Sequence, residues 1–167
     1  MKLVRFSFLM ITLLLCSIVA KAHNFEVGGI YYKITSTSDL TVAVTYKGDY
    51  YSTYSDEYSG VVVIPSSVFY DGQAYSVTSI GNRAFYGCSS LTSITIPESV
   101  TSIGIEAFAH CSNLTAIVVA EGNKVYDSRG GCNAIIEFAS NTLIAGRSTT
   151  IIPENATSIG DSAFRGG

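Results

Sequence analysis

The sequence predicts a β-rich repeat solenoid in which one short strand per 23-residue turn stacks into a parallel ladder. Two observations carry that expectation. Thr78 to Val100 (TSIGNRAFYGCSSLTSITIPESV) and Thr101 to Asn123 (TSIGIEAFAHCSNLTAIVVAEGN) are 23-residue copies of one unit, and a third, TSIGDSAFRGG, begins at Thr157. The composition also suits packed strands joined by turns: 47% hydrophobic residues, 11 Tyr, 8 Phe and 15 Gly in a chain of 167. A single unit cannot bury its apolar face, whereas stacked units can.

The N-terminus reads as a secretion signal spanning residues 1–22. Lys2 and Arg5 form a basic start, Phe6 to Ala20 carries no charge, and Ala20-Lys21-Ala22 is a small-x-small cleavage pattern. The run is short for a membrane-spanning helix, which needs ~20 apolar residues. Stable membrane insertion is therefore not expected once the signal is removed. Cleavage leaves seven basic residues against 13 acidic ones, a charge of −6. That balance gives no footprint for nucleic acid. Cys88, Cys111 and Cys132 remain, an odd number that argues against a disulfide framework.

Residues 23–60 read as a β-rich cap over the first turn. Ile30 to Thr35 and Leu40 to Tyr46 are its strands, with the turn at Ser36 to Asp39. The stretch Gly48 to Gly60 (GDYYSTYSDEYSG) is polar and tyrosine-rich and reads as a mobile loop.

The array occupies residues 61–167. Ile80, Phe85, Cys88, Leu91, Ile94 and Ile96 match Ile103, Phe108, Cys111, Leu114, Ile117 and Val119, and Ile159 and Phe164 continue the pattern in the third copy. These are the predicted core. Ile94 and Ile96 lie two apart and so share one face of a strand. Pro97 ends that strand because it offers no amide donor. Gly81 and Gly104 are expected to provide turns with unusual backbone angles. Val62-Val63-Ile64-Pro65 starts the array, and Thr150-Ile151-Ile152-Pro153 resumes it. Hairpin insertions are expected near 66–77, where Asp71-Gly72 is a two-residue turn signal, and within 121–149, turning at Ser140-Asn141. The third copy stops at Gly167 without its strand, which reads as truncation.

The signature S-I-G-x-x-A-F-x-x-C-x-x-L-x-x-I-x-I-P resembles the BspA-like leucine-rich repeats of bacterial and protozoan surface proteins. The resemblance covers Val62 to Phe164 once the insertions are allowed, and relatives carry such hairpins. It implies a cell-surface or secreted protein that attaches to host matrix glycoproteins such as fibronectin, or to other bacteria.

The residues themselves show no catalytic constellation, cofactor site or metal site. His110 beside Cys111 lacks a third orienting group. Asp49, Asp56 and Glu57 lack the alternation of a calcium loop. Cys88 and Cys111 read as small buried hydrophobes, and Cys132, in an insertion, as the more reactive thiol. Asn113 and Asn155 match the glycosylation pattern, with Leu114 of the core stripe following the first. The outward strand face offers Thr92, Ser93, Thr95, Thr115, Ala116 and Val118 as a candidate binding face for an extracellular protein or glycoprotein. The alternative is a carbohydrate-binding module using the seven tyrosines between Tyr31 and Tyr58, with Tyr50, Tyr51 and Tyr54 as the residues to test.

Overall fold

The computed structural model describes residues 21–53 and 56–166. The proposed signal up to residue 20, Tyr54 and Gly167 lie outside the described residues.

The chain opens with three strands, β1 (Phe25–Val27), β2 (Ile30–Ser36) and β3 (Thr41–Thr45), each antiparallel to the next. β1 is a strand the sequence expectation lacks. Gly28 and Gly29 both adopt positive φ, which glycine does without steric penalty, and so close a two-residue hairpin. Period-two alternation buries Ile30 and Tyr32 on β2. β4 (Gly60–Val63) and a hairpin of β5 (Ser67–Tyr70) and β6 (Gln73–Ile80) follow, the hairpin turning at Asp71-Gly72.

Two parallel ladders then run through the repeats. In the first, β4 pairs β7 (Leu91–Ile96), which pairs β9 (Ala116–Val119). In the second, β3 pairs β6, which pairs β8 (Ser102–Ile103). The N-terminal strands therefore extend a ladder edge to edge. Val44, Ile80 and Ile103 share one column of it, and Ile94 faces Ile117 in the other ladder.

The corner between the ladders is bonded turn to turn. The Phe85 amide donates to the Ala107 carbonyl at 2.8 Å, and that of Gly87 to Ala109 at 2.9 Å. The Phe85 and Phe108 rings stack inside this corner. One buried cluster joins them to Cys88, Leu91, Ile94, Ile96, Cys111, Leu114, Ile117, Val119 and Ile80, with Ile103 partly buried against it. At the same corner the Glu106 carboxylate, its side chain only 6% exposed, sits between Arg83 and Arg165, 2.8 Å from Arg83 Nε.

Gly81 and Gly104 do a different job from the one expected, since neither has a positive φ. Their amides donate to Val44 and Ile80 carbonyls at 2.8 Å, and a Cβ on Gly104 would lie 2.4 Å from the Asn82 nitrogen. They are glycine because adjacent turns touch there. The left-handed residues are Arg83, Glu106 and Ser162, and then Gly87, His110 and Gly166, at matching places in the three copies.

The second insertion is more than a hairpin. It holds β10 (Tyr126–Asp127), a 3-10 turn (Arg129–Gly131), β11 (Ile135–Glu137) and β12 (Thr142–Ala145). β10, β11 and β12 are antiparallel in order, but β12 runs parallel to β13 (Ser158–Ile159). Leu143 pairs Ile159, and the Gly160 amide donates to the Leu143 carbonyl at 2.8 Å, repeating the Gly81 and Gly104 bonds. The inserted strand thus supplies a layer of its own on this side. At the opposite corner the third copy rests directly on the second, His110 amide to Arg165 carbonyl at 3.1 Å.

Three expectations fail near this junction. Thr150 to Pro153 forms no strand, and Ile151 and Ile152 are exposed, because the 128–133 segment holds the place beside β9. Ile159 and Phe164 are exposed rather than core residues. Gly146 donates to the Ala163 carbonyl and lies against the Phe164 ring, so the insertion separates Phe164 from the Phe85–Phe108 stack. No described residue forms a further turn over Ile159.

Candidate interaction surface

Side chains alternate across β4, β7 and β9, and register puts the outward ones in two rows. Val61, Ser93 and Ala116 form one row, and Val63, Thr95 and Val118 the other. Exposure reaches 69% at Val61, 60% at Val63 and 46% at Val118. Thr92 and Thr115 are exposed at the start of β7 and just before β9, where the Thr115 amide donates to the Thr92 carbonyl at 3.0 Å. Of the six residues expected from sequence, Ser93, Thr95, Ala116 and Val118 fall in these rows, and Thr92 and Thr115 flank them where the strands begin. Val61 and Val63 were missed, although alternation with the inward Val62 and Ile64 marks them. The surface is uncharged and built of small or β-branched residues.

Its two edges differ. The Ile117 amide donates to Asn133 Oδ1 at 2.6 Å and the Val119 amide to Ser128 Oγ at 3.0 Å, so side chains close the outer edge of β9. β4 borders the Gly28-Gly29 turn across a cavity of about 340 Å³ that Tyr58, Ser59 and Val61 also line.

The tyrosines divide into structural and surface groups. Tyr32 and Tyr58 are buried, and the Tyr58 hydroxyl donates to the Thr45 carbonyl at 2.5 Å. This part of the 48–60 segment belongs to the core rather than to a loose loop. Tyr50 and Tyr51 lie 4.4 Å apart, Tyr51 meets Tyr86 at 4.8 Å, and Tyr86 meets His110 at 5.1 Å. Arg83 lies over the Tyr51 ring at 4.5 Å. The repeat residues Tyr86 and His110 thus join the loop tyrosines in one aromatic strip.

The remaining candidates are dispersed. Asp56 accepts from the Ser90 amide at 2.7 Å and from the Ser89 and Ser90 hydroxyls, which pulls its carboxyl below the ordinary range. Glu57 accepts from the Lys47 amide, with burial pushing its pKa up, and Asp49 is exposed elsewhere. Among the described residues no His, Cys, Asp and Glu group of three is placed to hold a metal. His110 points outward while the Cys111 thiol donates inward to the Phe85 carbonyl at 2.9 Å. Burial raises the Cys88 thiol to about 12 and the Cys111 thiol to about 11. Cys132 is also buried and its thiol shifted upward, against the expectation of reactivity. Asn113 and Asn155 are both exposed, and the Asn113 side-chain amide donates to the Ser89 carbonyl.

The family model for the BspA type leucine rich repeat region, in six copies, matches residues 63–167. The chain belongs to this leucine-rich-repeat family. It is similar to a leucine-rich repeat protein from Bacteroides ovatus, at 32% identity and TM-score 0.55, over 85% of this chain and 38% of that one. A leucine rich cell surface protein from Faecalibacterium prausnitzii shares 28% identity at TM-score 0.46, covering 60% and 24% of the two chains. A leucine-rich repeat protein from Bacteroides capillosus shares 33% identity at TM-score 0.46, covering 58% and 65%. The chain therefore spans between about a quarter and two thirds of the length of these relatives. No curated protein matches the sequence. Among the described residues no helix is long and apolar enough to cross a membrane.

Proposed function

We propose that this chain is an exported, non-enzymatic solenoid segment that binds an extracellular protein or glycoprotein through the outward face of β4, β7 and β9. The single observation that carries the reading is the pair of uncharged rows, Val61-Ser93-Ala116 and Val63-Thr95-Val118, in which the three valines are exposed and Ser93, Thr95 and Ala116 are half-buried between them. Interface centres are depleted in charged residues, and these rows carry none. Membership of the family supports a location at the cell surface. The test is retention of the folded protein on immobilised matrix proteins, mucins and cells. Retention on at least one of them is the expected result, and no retention on any would remove the reading.

A second reading is favoured by the strip from Tyr50 through Tyr51 and Tyr86 to His110. Aromatic faces with hydroxyls at their rims suit the apolar faces and hydroxyls of sugars. A glycan array on wild type and on Y50A/Y86A separates the two readings. Glycan binding lost in the variant supports the sugar site, and no glycan binding by wild type discards it.

A further inference from the structure

The repeat signature leaves two pairs of positions open, the pair after S-I-G and the pair after A-F. The first copy places Arg83 and Tyr86 there, the second Glu106 and His110, and the third Arg165. Stacking brings these residues to one corner. Tyr86 meets His110, and Glu106 meets both arginines.

Glu106 organises the charge. Its Oε2 takes Arg83 Nε and its Oε1 takes Arg165 Nη1, so two guanidiniums stand side by side on one carboxylate with one positive charge in excess. The arginine side chains stay 40% and 50% exposed, whereas the Glu106 side chain is nearly buried. A guanidinium carries five N–H donors. Among the described residues, neither arginine side chain makes a hydrogen bond or ion pair other than that to Glu106. The Tyr51 ring also holds Arg83, 4.5 Å away, and Tyr50, 55% exposed, continues the strip.

The nearby carboxylates are engaged or lie elsewhere. Asp56 is held by Ser89 and Ser90, and Asp49 acts on His23. Glu137 and Asp161 line a cavity of about 430 Å³ beside Ile144 that Arg83, Tyr86, His110 and Arg165 do not line. The strip is therefore a cationic spot on a chain with 13 acidic and 10 basic residues. Aromatic faces alone suit any sugar, whereas the planar fork of a guanidinium matches a carboxylate. We infer that the strip takes an acidic saccharide, a sugar bearing a carboxylate such as a uronic or sialic acid. Its ring lies against Tyr50 and Tyr86, and its carboxylate lies on Arg83 and Arg165. This inference rests on the sugar-binding reading of the strip and narrows it.

The test is titration calorimetry of the full chain with trigalacturonate and with 3′-sialyllactose, each beside its methyl ester. At least one acid should bind about tenfold or more tighter than its ester, and added salt should shrink the difference. Arg165→Gln should bring the acid down to the ester, while Tyr50→Ala/Tyr86→Ala should weaken both. Removing both arginines would leave Glu106 nearly buried and unpaired, so Arg83→Gln is made separately, with a melting curve for each variant. Equal affinity of wild type for acid and ester overturns the inference and leaves the sugar reading standing. Full acid preference in both folded arginine variants also overturns it, as does an oligoglutamate peptide that binds as tightly as the acid. No glycan bound, acidic or neutral, removes the sugar reading and the inference together.

Discussion

Phe85 and Phe108 stack with ring centroids 5.3 Å apart and planes 10° from parallel, one repeat apart in the chain. Both rings are buried, and the same register places Ile94 on Ile117 and Ile80 on Ile103. Truncating either ring opens a cavity that neighbouring turns cannot close. Phe85→Ala or Phe108→Ala should cost about 3–5 kcal/mol. Phe164→Ala should cost about 0.5 kcal/mol, the scale of surface changes. Urea unfolding of the three variants checks the contrast.

The close approach at Gly104 makes a second prediction. An added methyl meets Asn82 backbone at 2.4 Å, while at Gly81 it meets the Val44 carbonyl at 3.1 Å and at Gly160 the Leu143 carbonyl at 3.3 Å. Gly104→Ala should therefore be the most destabilising of the three, by about 1–3 kcal/mol from overpacking. Equal midpoints for all three variants in thermal melts would contradict turn-to-turn contact as the reason for these glycines.

The buried thiols set an alkaline limit. Burial raises Cys88 to about 12 and Cys111 to about 11 from an ordinary 9.0. The folded state keeps protons that the unfolded chain gives up, so this contribution is complete below pH 9.0 and declines as pH rises toward 11 and 12. Native protein at pH 8 should leave all three thiols unlabelled by a thiol-specific disulfide reagent, with labelling only after denaturation. Rapid native labelling of Cys132 would show that its burial is not maintained.

Asp56 makes an acid-side prediction. The Ser90 amide and the two serine hydroxyls favour its charged form, so the stabilisation is present above the ordinary pKa of 3.8 and is lost as pH falls below it. Asp56→Asn should melt below wild type at pH 7, and the gap should close in acid. Melting curves at pH 7 and pH 3 measure it.

The regular part of the fold was legible because each repeat position answers to one physical demand. Ile94 and Ile96 share a face, Pro97 ends the strand, and Phe85 recurs as Phe108. The junction was not legible, because Leu143 carries no repeat signature around it and enters the ladder only through pairing with Ile159. Local pattern likewise could not show that Phe164 lands on Gly146, a contact made by residues 18 apart. On the candidate face, alternation located Thr95 and Val118. The neighbouring Val61 and Val63 were passed over, although their alternation with Val62 and Ile64 marks them as outward. No motif surrounds Arg147 in the sequence, and its burial comes only from the fold, where it donates to the Phe108 carbonyl.

The proposed recognition surface is the outward face of β4, β7 and β9. Surface plasmon resonance of wild type and of Val63→Arg/Val118→Arg against whichever matrix protein or mucin retains the wild type tests it most directly. Both side chains are exposed, so the melting temperature should stay within a few degrees of wild type. The predicted result is at least a tenfold loss of affinity. Unchanged affinity in a folded variant would contradict the assignment.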